Sequence, residues 1–158
     1  MSSPEKAMIR QDSDYALRML IELSGHSERG VSAGELSRRA AVPHGFAQKI
    51  LRKLSAAGLL EAQAGRGGGF RLDRNPADIS LMDVVSAIQG RPLLNRCMTG
   101  LAACDRQPTC AISASLRVLQ GKLDGFLGST TLLSLLERPH DGSRRVAIDK
   151  TGGRRRQK

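Results

Sequence analysis

Apolar residues recur at helical spacing through most of this chain. Ala16, Met19, Leu20 and Leu23 fall at i, i+3, i+4 and i+7, the spacing of one buried helix face. Ser13 or Asp14 is placed to cap that helix, which runs to about residue 24. A polar stretch over residues 25–30 follows. Ser32 and Glu35 then have the spacing of a capping box just ahead of Leu36, with Gly34 inside the first turn of the helix they start. Val42-Pro43 is expected to break that helix, because proline disfavours the α region for the residue before it. The next periodic stretch, residues 44–57, puts Ala47, Ile50, Leu51 and Leu54 on one face and Gly45, Gln48, Lys49 and Arg52 on the other. Gly58 is placed to end it. Residues 59–63 and 70–72 read as two strands paired around Gly65-Arg66-Gly67-Gly68-Gly69.

Asn75-Pro76 marks a turn, and Ser80 with Asp83 starts a helix to about residue 89 whose core face is Leu81, Val84, Val85 and Ile88. Residues 90–108 show no periodicity. A long helix over 110–127 then carries Ile112, Leu116, Leu119, Leu123 and Phe126, spaced four, three, four and three. That is the seam of a two-helix coiled coil, and it predicts a homodimer. Ser129 or Thr130 caps a last helix over 131–137, rich in leucine and stopped by Pro139. The pattern predicts a mainly α fold with a small β-hairpin wing: a winged helix-turn-helix plus a long dimerisation helix. The expected organisation is a DNA-binding unit over 1–90, a cysteine loop over 91–110, dimerisation helices over 111–138 and a basic disordered tail over 139–158.

Composition sharpens the reading. Aromatics are only 3% and tryptophan is absent, which favours helices packed through aliphatic side chains. The formal charge is +10, pointing to a polyanionic partner. Half of it lies in residues 139–158, with seven Lys/Arg against two Asp, so net charge alone overstates the case. Position matters more. Helix, sharp turn, basic helix and a hairpin tipped by arginine is the plan of a reader of double-stranded DNA. A structural helical hairpin with a solvated basic face is the plainer alternative. The glycine run argues against it, since glycine marks close backbone approach or positive φ. Gln48 suits a bidentate pairing with adenine, and Lys49 and Arg52 suit phosphates. His44 joins them at the start of the helix. Arg66, with Gly67 at the wing tip, suits a narrow minor groove. No signal peptide and no apolar run of membrane-spanning length is visible, so the expected location is cytoplasmic, without a membrane partner. No general-base pair or substrate motif points to an enzyme or to a small-molecule substrate.

Cys97, Cys104 and Cys110 are separated by six and five residues. Three is an odd number, so a closed disulfide framework is not expected. The absence of a CxxC argues against a zinc ribbon or a thioredoxin-type pair. Spacing leaves three options open: an iron–sulfur cluster short of one ligand, free or redox-active thiols, and zinc binding or simple burial.

The order of parts resembles the bacterial iron–sulfur regulators of the IscR, NsrR and RirA family. The residues that carry the resemblance are Asp14-Tyr15-Ala16-Leu17-Arg18, residues 42–54, the wing from Gly65 to Leu72, and three cysteines ahead of a long helix ending in Phe126-Leu127. It spans about residues 9–137. The resemblance implies a homodimeric winged-helix transcription factor; a DNA reader with a two-fold axis in turn predicts a palindromic operator, and the expected role is that of a repressor. The resemblance also implies that Cys97, Cys104 and Cys110 hold a 2Fe-2S or 4Fe-4S cluster whose state, set by iron, nitric oxide or redox stress, gates DNA binding. Three positions depart from IscR-like members: Ser113 replaces a histidine, Arg66 a proline and Gln48 a glutamate. The chain thus resembles the NsrR and RirA branches more. In the NsrR branch an aspartate of the first helix completes the ligand set, and Asp14 holds that position, serving the cluster of the partner subunit. Asp14 is equally suited to cap its helix or to pair with Arg18. Two rivals stand beside this reading: a cluster-free repressor whose thiols sense oxidants, and a small cluster-bearing enzyme or electron carrier.

Overall fold

A computed structural model describes residues 7–25, 30–65, 68–98 and 109–137. Six helices and one hairpin follow in order: α1 (Gln11–Ser24), α2 (Ala33–Arg39), α3 (His44–Ala56), β1 (Leu60–Gln63), β2 (Gly69–Leu72), α4 (Leu81–Gln89), α5 (Ala111–Ser129) and α6 (Leu132–Leu136). Short 3-10 turns lie at Pro76–Asp78 and Arg96–Met98. The fold is mainly α with a two-stranded antiparallel wing. No helix among the described residues is long and apolar enough to cross a membrane.

One core holds the unit together. Met19 and Leu20 of α1, Leu36 of α2, Leu51 and Leu54 of α3, Val84 of α4 and Leu132 of α6 are wholly buried in it. Each such side chain contributes roughly 1.5–3 kcal/mol by leaving water. The apolar faces of the first, third and fourth helices are those the periodicity picks out, except that Leu81 is only half-buried. α6 returns to this core from the far end of α5. It is tied there by Leu132 N–H donating to Ile79 O at 2.9 Å and Leu81 N–H donating to Thr130 O at 2.8 Å.

Several helix ends differ from their sequence cues. α1 starts at Arg10, which caps it without a side-chain hydrogen bond. Ser13 and Asp14 therefore lie inside the first turn and do not cap. Ser13 is buried instead and donates to Gln89 Oε1 at 2.7 Å. Ser32 caps α2, accepting Glu35 N–H at 3.2 Å, but Glu35 turns to Arg39 rather than closing a capping box. α2 ends at Arg39, before Val42-Pro43. Its terminus is a Schellman turn, with Val42 N–H on Ser37 O at 2.9 Å and Ala41 N–H on Arg38 O at 3.4 Å. Ala41 takes the left-handed position, at φ 52°. α3 ends by the same device, with Leu59 N–H on Leu54 O and Gly58 at φ 67°. The last helix is capped by Thr131, one residue beyond the sequence candidates, because Ser134 completes a capping box with it.

The wing carries a third, single-bridge strand. Val31 and Phe70 exchange both backbone hydrogen bonds at 2.9 Å, and β1 pairs β2 from Leu60↔Leu72 to Gln63↔Gly69. This explains two of the glycines. A Cβ on Gly69 would stand 2.6 Å from Val31 O, and one on Gly68 would stand 2.3 Å from Gln63 O. Their freedom is used to close the wing on its own backbone.

Candidate functional site

Two surfaces carry the chemistry. The first is the outer face of α3. Its inner face is locked by Ala47, Ile50, Leu51 and Leu54, which leaves His44, Gln48, Lys49 and Arg52 exposed. Gln48 Nε2 lies 3.1 Å from His44 Nε2, one turn away. The pair fixes the direction of the Gln48 amide while its oxygen and second N–H stay available. Lys49 and Arg52 form no ion pair among the described residues. Lys53, in contrast, is turned to the protein and donates from Nζ to Ile88 O at 2.9 Å, near the end of α4. The face is cationic and carries no carboxylate of its own, which suits a polyanion. Arg66 and Gly67, the expected wing contacts, lie outside the described residues. Glu61 and Arg71 pair across the wing at 2.7 Å, so Arg71 is partly neutralised.

Sequence reading passed over Phe46. It is 54% exposed in the first turn of α3 and meets Tyr15 edge-on, with ring centroids 6.1 Å apart. Arg18 lies 5.9 Å above the Tyr15 ring. Such an aromatic on a polar helix face, in a chain with four aromatic residues, is the signal that marks it.

The second surface is the start of α5 with the loop before it. Cys110 caps α5, and its Sγ accepts the Ser113 N–H at 3.4 Å. A sulfur there stands at the positive end of a 19-residue helix. Cys97 sits in the 3-10 turn at Arg96–Met98, half-buried like Cys110. The loop that presents it is strapped to α5 by Gln120, a residue only 6% exposed. Gln120 accepts Leu94 N–H at 3.0 Å and donates from Nε2 to Pro92 O at 3.0 Å and to Asp124 Oδ1 at 2.8 Å. Asp124 also pairs with Arg91. Hydrogen bonds from Arg91 and then from Gln120 hold its carboxyl below the usual range. A groove of about 430 Å³ opens beside Cys97, lined by Arg91, Met98, Arg117 and Asp124 among others.

Cys104 lies outside the described residues. Among the described residues no three of His, Cys, Asp and Glu converge on a metal position, so one protomer does not bring Asp14 to Cys97 and Cys110. Asp14 instead pairs with Arg18 at 2.7 Å and is about half exposed. Two soft thiols, one in a 3-10 turn and one capping a helix, fit an iron–sulfur group.

The seam residues of α5 point away from the body. Ile112 is 70% exposed, Leu119 50% and Phe126 53%, while Leu116 and Leu123 are half-buried. The face turned inward holds Ser113, Gln120 and Leu127.

The chain matches the Rrf2 family, described as iron-dependent transcriptional regulators, over residues 9–138. Protein aau3 of Rhizobium meliloti is 34% identical over 110 residues, covering 69% of this chain and 71% of the relative. The HTH-type transcriptional regulator IscR of Escherichia coli K12 is 28% identical over 123 residues, 77% and 75% of the two chains. Among solved structures, the global cysteine regulator CymR of B. subtilis superposes with a TM-score of 0.68 at 22% identity, covering 81% of this chain and 95% of that one. T. potens IscR superposes at 0.67 with 20% identity, covering 85% and 89%.

Proposed function

This chain belongs to the Rrf2 family of transcriptional regulators, and from that premise we propose that it is a homodimeric DNA-binding repressor whose grip on a palindromic operator is gated by an iron–sulfur cluster. The observation that carries the reading is the split of α3: its apolar face is spent on the core and its amide and cationic face is left open beside the wing. Gln48, oriented by His44, is the base reader, through a bidentate pairing with adenine. Lys49 and Arg52 bind phosphates and set the register. Arg66, with Gly67 giving its backbone room, enters the minor groove. The basic tail adds salt-sensitive phosphate contacts.

The exposed apolar stripe of α5 supports the dimer. Leaving Ile112, Leu119 and Phe126 in water is unfavourable, and pairing α5 with its copy removes that surface. Cys97, Cys104 and Cys110 would hold a 2Fe-2S or 4Fe-4S cluster, with Asp14 of the partner subunit as fourth ligand. When bound, the cluster supplies iron that responds to iron supply, nitric oxide and redox state. As a harder ligand than a thiolate, Asp14 would hold iron less firmly than the cysteines. The Gln120 strap carries the state of the loop to α5, and through α5 to the spacing of the two α3 helices.

The test is a duplex selected by the protein itself from a random pool, titrated with wild type and with Cys97→Ala, Cys104→Ala and Cys110→Ala. The proposal expects enrichment of a palindrome, iron in the anaerobic wild type, and loss of iron and of gating in each variant with helicity kept. Full iron and colour in all three variants would remove the ligand assignment. Failure to enrich any duplex would remove the DNA-binding reading.

A further inference from the structure

The first turn of α5 contains a buried hydroxyl without a hydrogen-bond partner among the described residues. Ser113 is the third residue of the helix, three beyond the Cys110 cap. In two other helices of this chain, α4 and α6, the residue at that position reaches back to its cap. Ser134 in α6 accepts Thr131 N–H at 3.0 Å and donates to Thr131 O at 2.8 Å. Asp83 in α4 accepts Ser80 N–H at 2.9 Å. Ser113 does not reach back. Its N–H donates to Cys110 Sγ, but its Oγ is buried with no hydrogen-bond partner among the described residues, in a residue only 5% exposed.

A buried hydroxyl left unsatisfied costs about 1–3 kcal/mol, so native structures normally give it a partner. The same serine in α6 shows that this chain readily forms the reciprocal cap. Ser55 Oγ of α3 is buried without a partner among the described residues as well, and Ser113 differs from both Ser55 and Ser134 in the sulfur at its helix cap. A neutral thiol is a weak acceptor. A thiolate bound to iron is a stronger one, because metal binding removes the thiol proton and leaves charge on sulfur.

We propose that Ser113 Oγ–H donates a hydrogen bond to the iron-bound sulfur at Cys110 and thereby raises the reduction potential of the cluster. The inference rests on the cluster reading above. Its physical basis is that a hydrogen bond to a ligand sulfur stabilises the more negative, reduced form over the oxidised one. Ser113 is a positioning and tuning residue here and not a ligand. Together with its own N–H it gives the Cys110 sulfur two donors from a single residue.

The experiment is an anaerobic spectroelectrochemical titration of the full-length chain, with iron and acid-labile sulfide counted beforehand. Wild type is compared with Ser113→Ala, Ser113→Thr and, as a control at the same helix position away from the cysteines, Ser134→Ala. The proposal expects Ser113→Ala to keep wild-type iron and sulfide and to titrate at a lower potential. Ser113→Thr keeps the hydroxyl and should stay at the wild-type potential, and Ser134→Ala should lower the melting temperature alone. An unmoved potential in Ser113→Ala overturns the proposal, as does a threonine variant that behaves like alanine. Loss of iron from Ser113→Ala also overturns it, by making the hydroxyl a ligand. A wild-type chain without iron or sulfide removes the cluster reading and this inference with it, whereas a loaded wild type with an unmoved alanine variant removes this inference alone.

Discussion

Ala41 and Gly58 do the same work with different side chains. Each sits at the left-handed position of a Schellman turn, and the residue after each is buried. Glycine adopts that conformation freely, whereas an L-residue with a Cβ gives up roughly 1 kcal/mol. Ala41→Gly should therefore raise the melting temperature slightly, a gain of up to about 1 kcal/mol in a thermal melt. A lower melting temperature would mean that Ala41 is held by contacts beyond its backbone. Gly69→Ala should act the other way. Its Cβ would meet Val31 backbone atoms at 2.6 Å, and a core forced to accept extra volume loses about 1–3 kcal/mol. Chemical denaturation measures both. These positions also show what could be read in advance. Gly58 announces its helix end, because glycine is the expected residue there. Ala41 does not, since alanine is also the best helix former and nothing marks its φ. The glycine run reads as close backbone approach or positive φ, and at Gly68 and Gly69 the close approach is to the protein's own hairpin and the Val31 bridge.

At the scale of elements, α5 departs furthest from ordinary amphipathicity. Its polar Ser113 and Gln120 are buried, and its apolar Ile112, Leu119 and Phe126 are exposed. The heptad-like spacing of the apolar residues was legible in the sequence. The buried polar stripe was not, because a glutamine among helix-surface residues reads as solvated until its partners in the 91–95 segment are known. Two outcomes follow. Leu119→Glu combined with Phe126→Glu should turn a dimer into a monomer in sedimentation velocity, with helicity intact, because both side chains are at least half exposed. A dimer that survives would move the interface off α5. Gln120→Ala should speed hydrogen exchange at the Leu94 amide, whose carbonyl acceptor it removes, while leaving core amides protected. Unchanged exchange at Leu94 would deny Gln120 its role as strap. The Asp124 side of that strap has a pH sense. Its carboxyl lies below the ordinary range, so the contact contributes above that range and is lost as pH falls through the lowered value.

The whole molecule joins the candidate DNA face and the Cys110 end of α5 through one core. α6, beyond the long helix, buries Leu132 among the residues that hold α1, α3 and α4, so α5 is anchored at its far end to the unit that presents α3. Its near end begins at Cys110. A change at Cys110 thus has a continuous path of helix and packed side chains to the candidate DNA face. The fold was largely legible because its apolar periods are strong and its helices are short. The candidate DNA face was legible because it is the exposed complement of one such period. The proposed meeting of the cysteines with Asp14 rests on the resemblance and not on spacing, because ligands contributed by two chains would leave no local spacing to read. The central claim is that cluster and DNA are coupled, and the most direct test is a fluorescence-anisotropy titration of the selected palindromic duplex at fixed salt. Cluster-loaded protein, prepared anaerobically, and the same protein stripped by a chelator are compared. The account predicts saturation at one dimer per duplex and affinities for the two forms that differ by about tenfold or more, the size of an ordinary coupling between sites. Equal affinity of the loaded and stripped forms would contradict it.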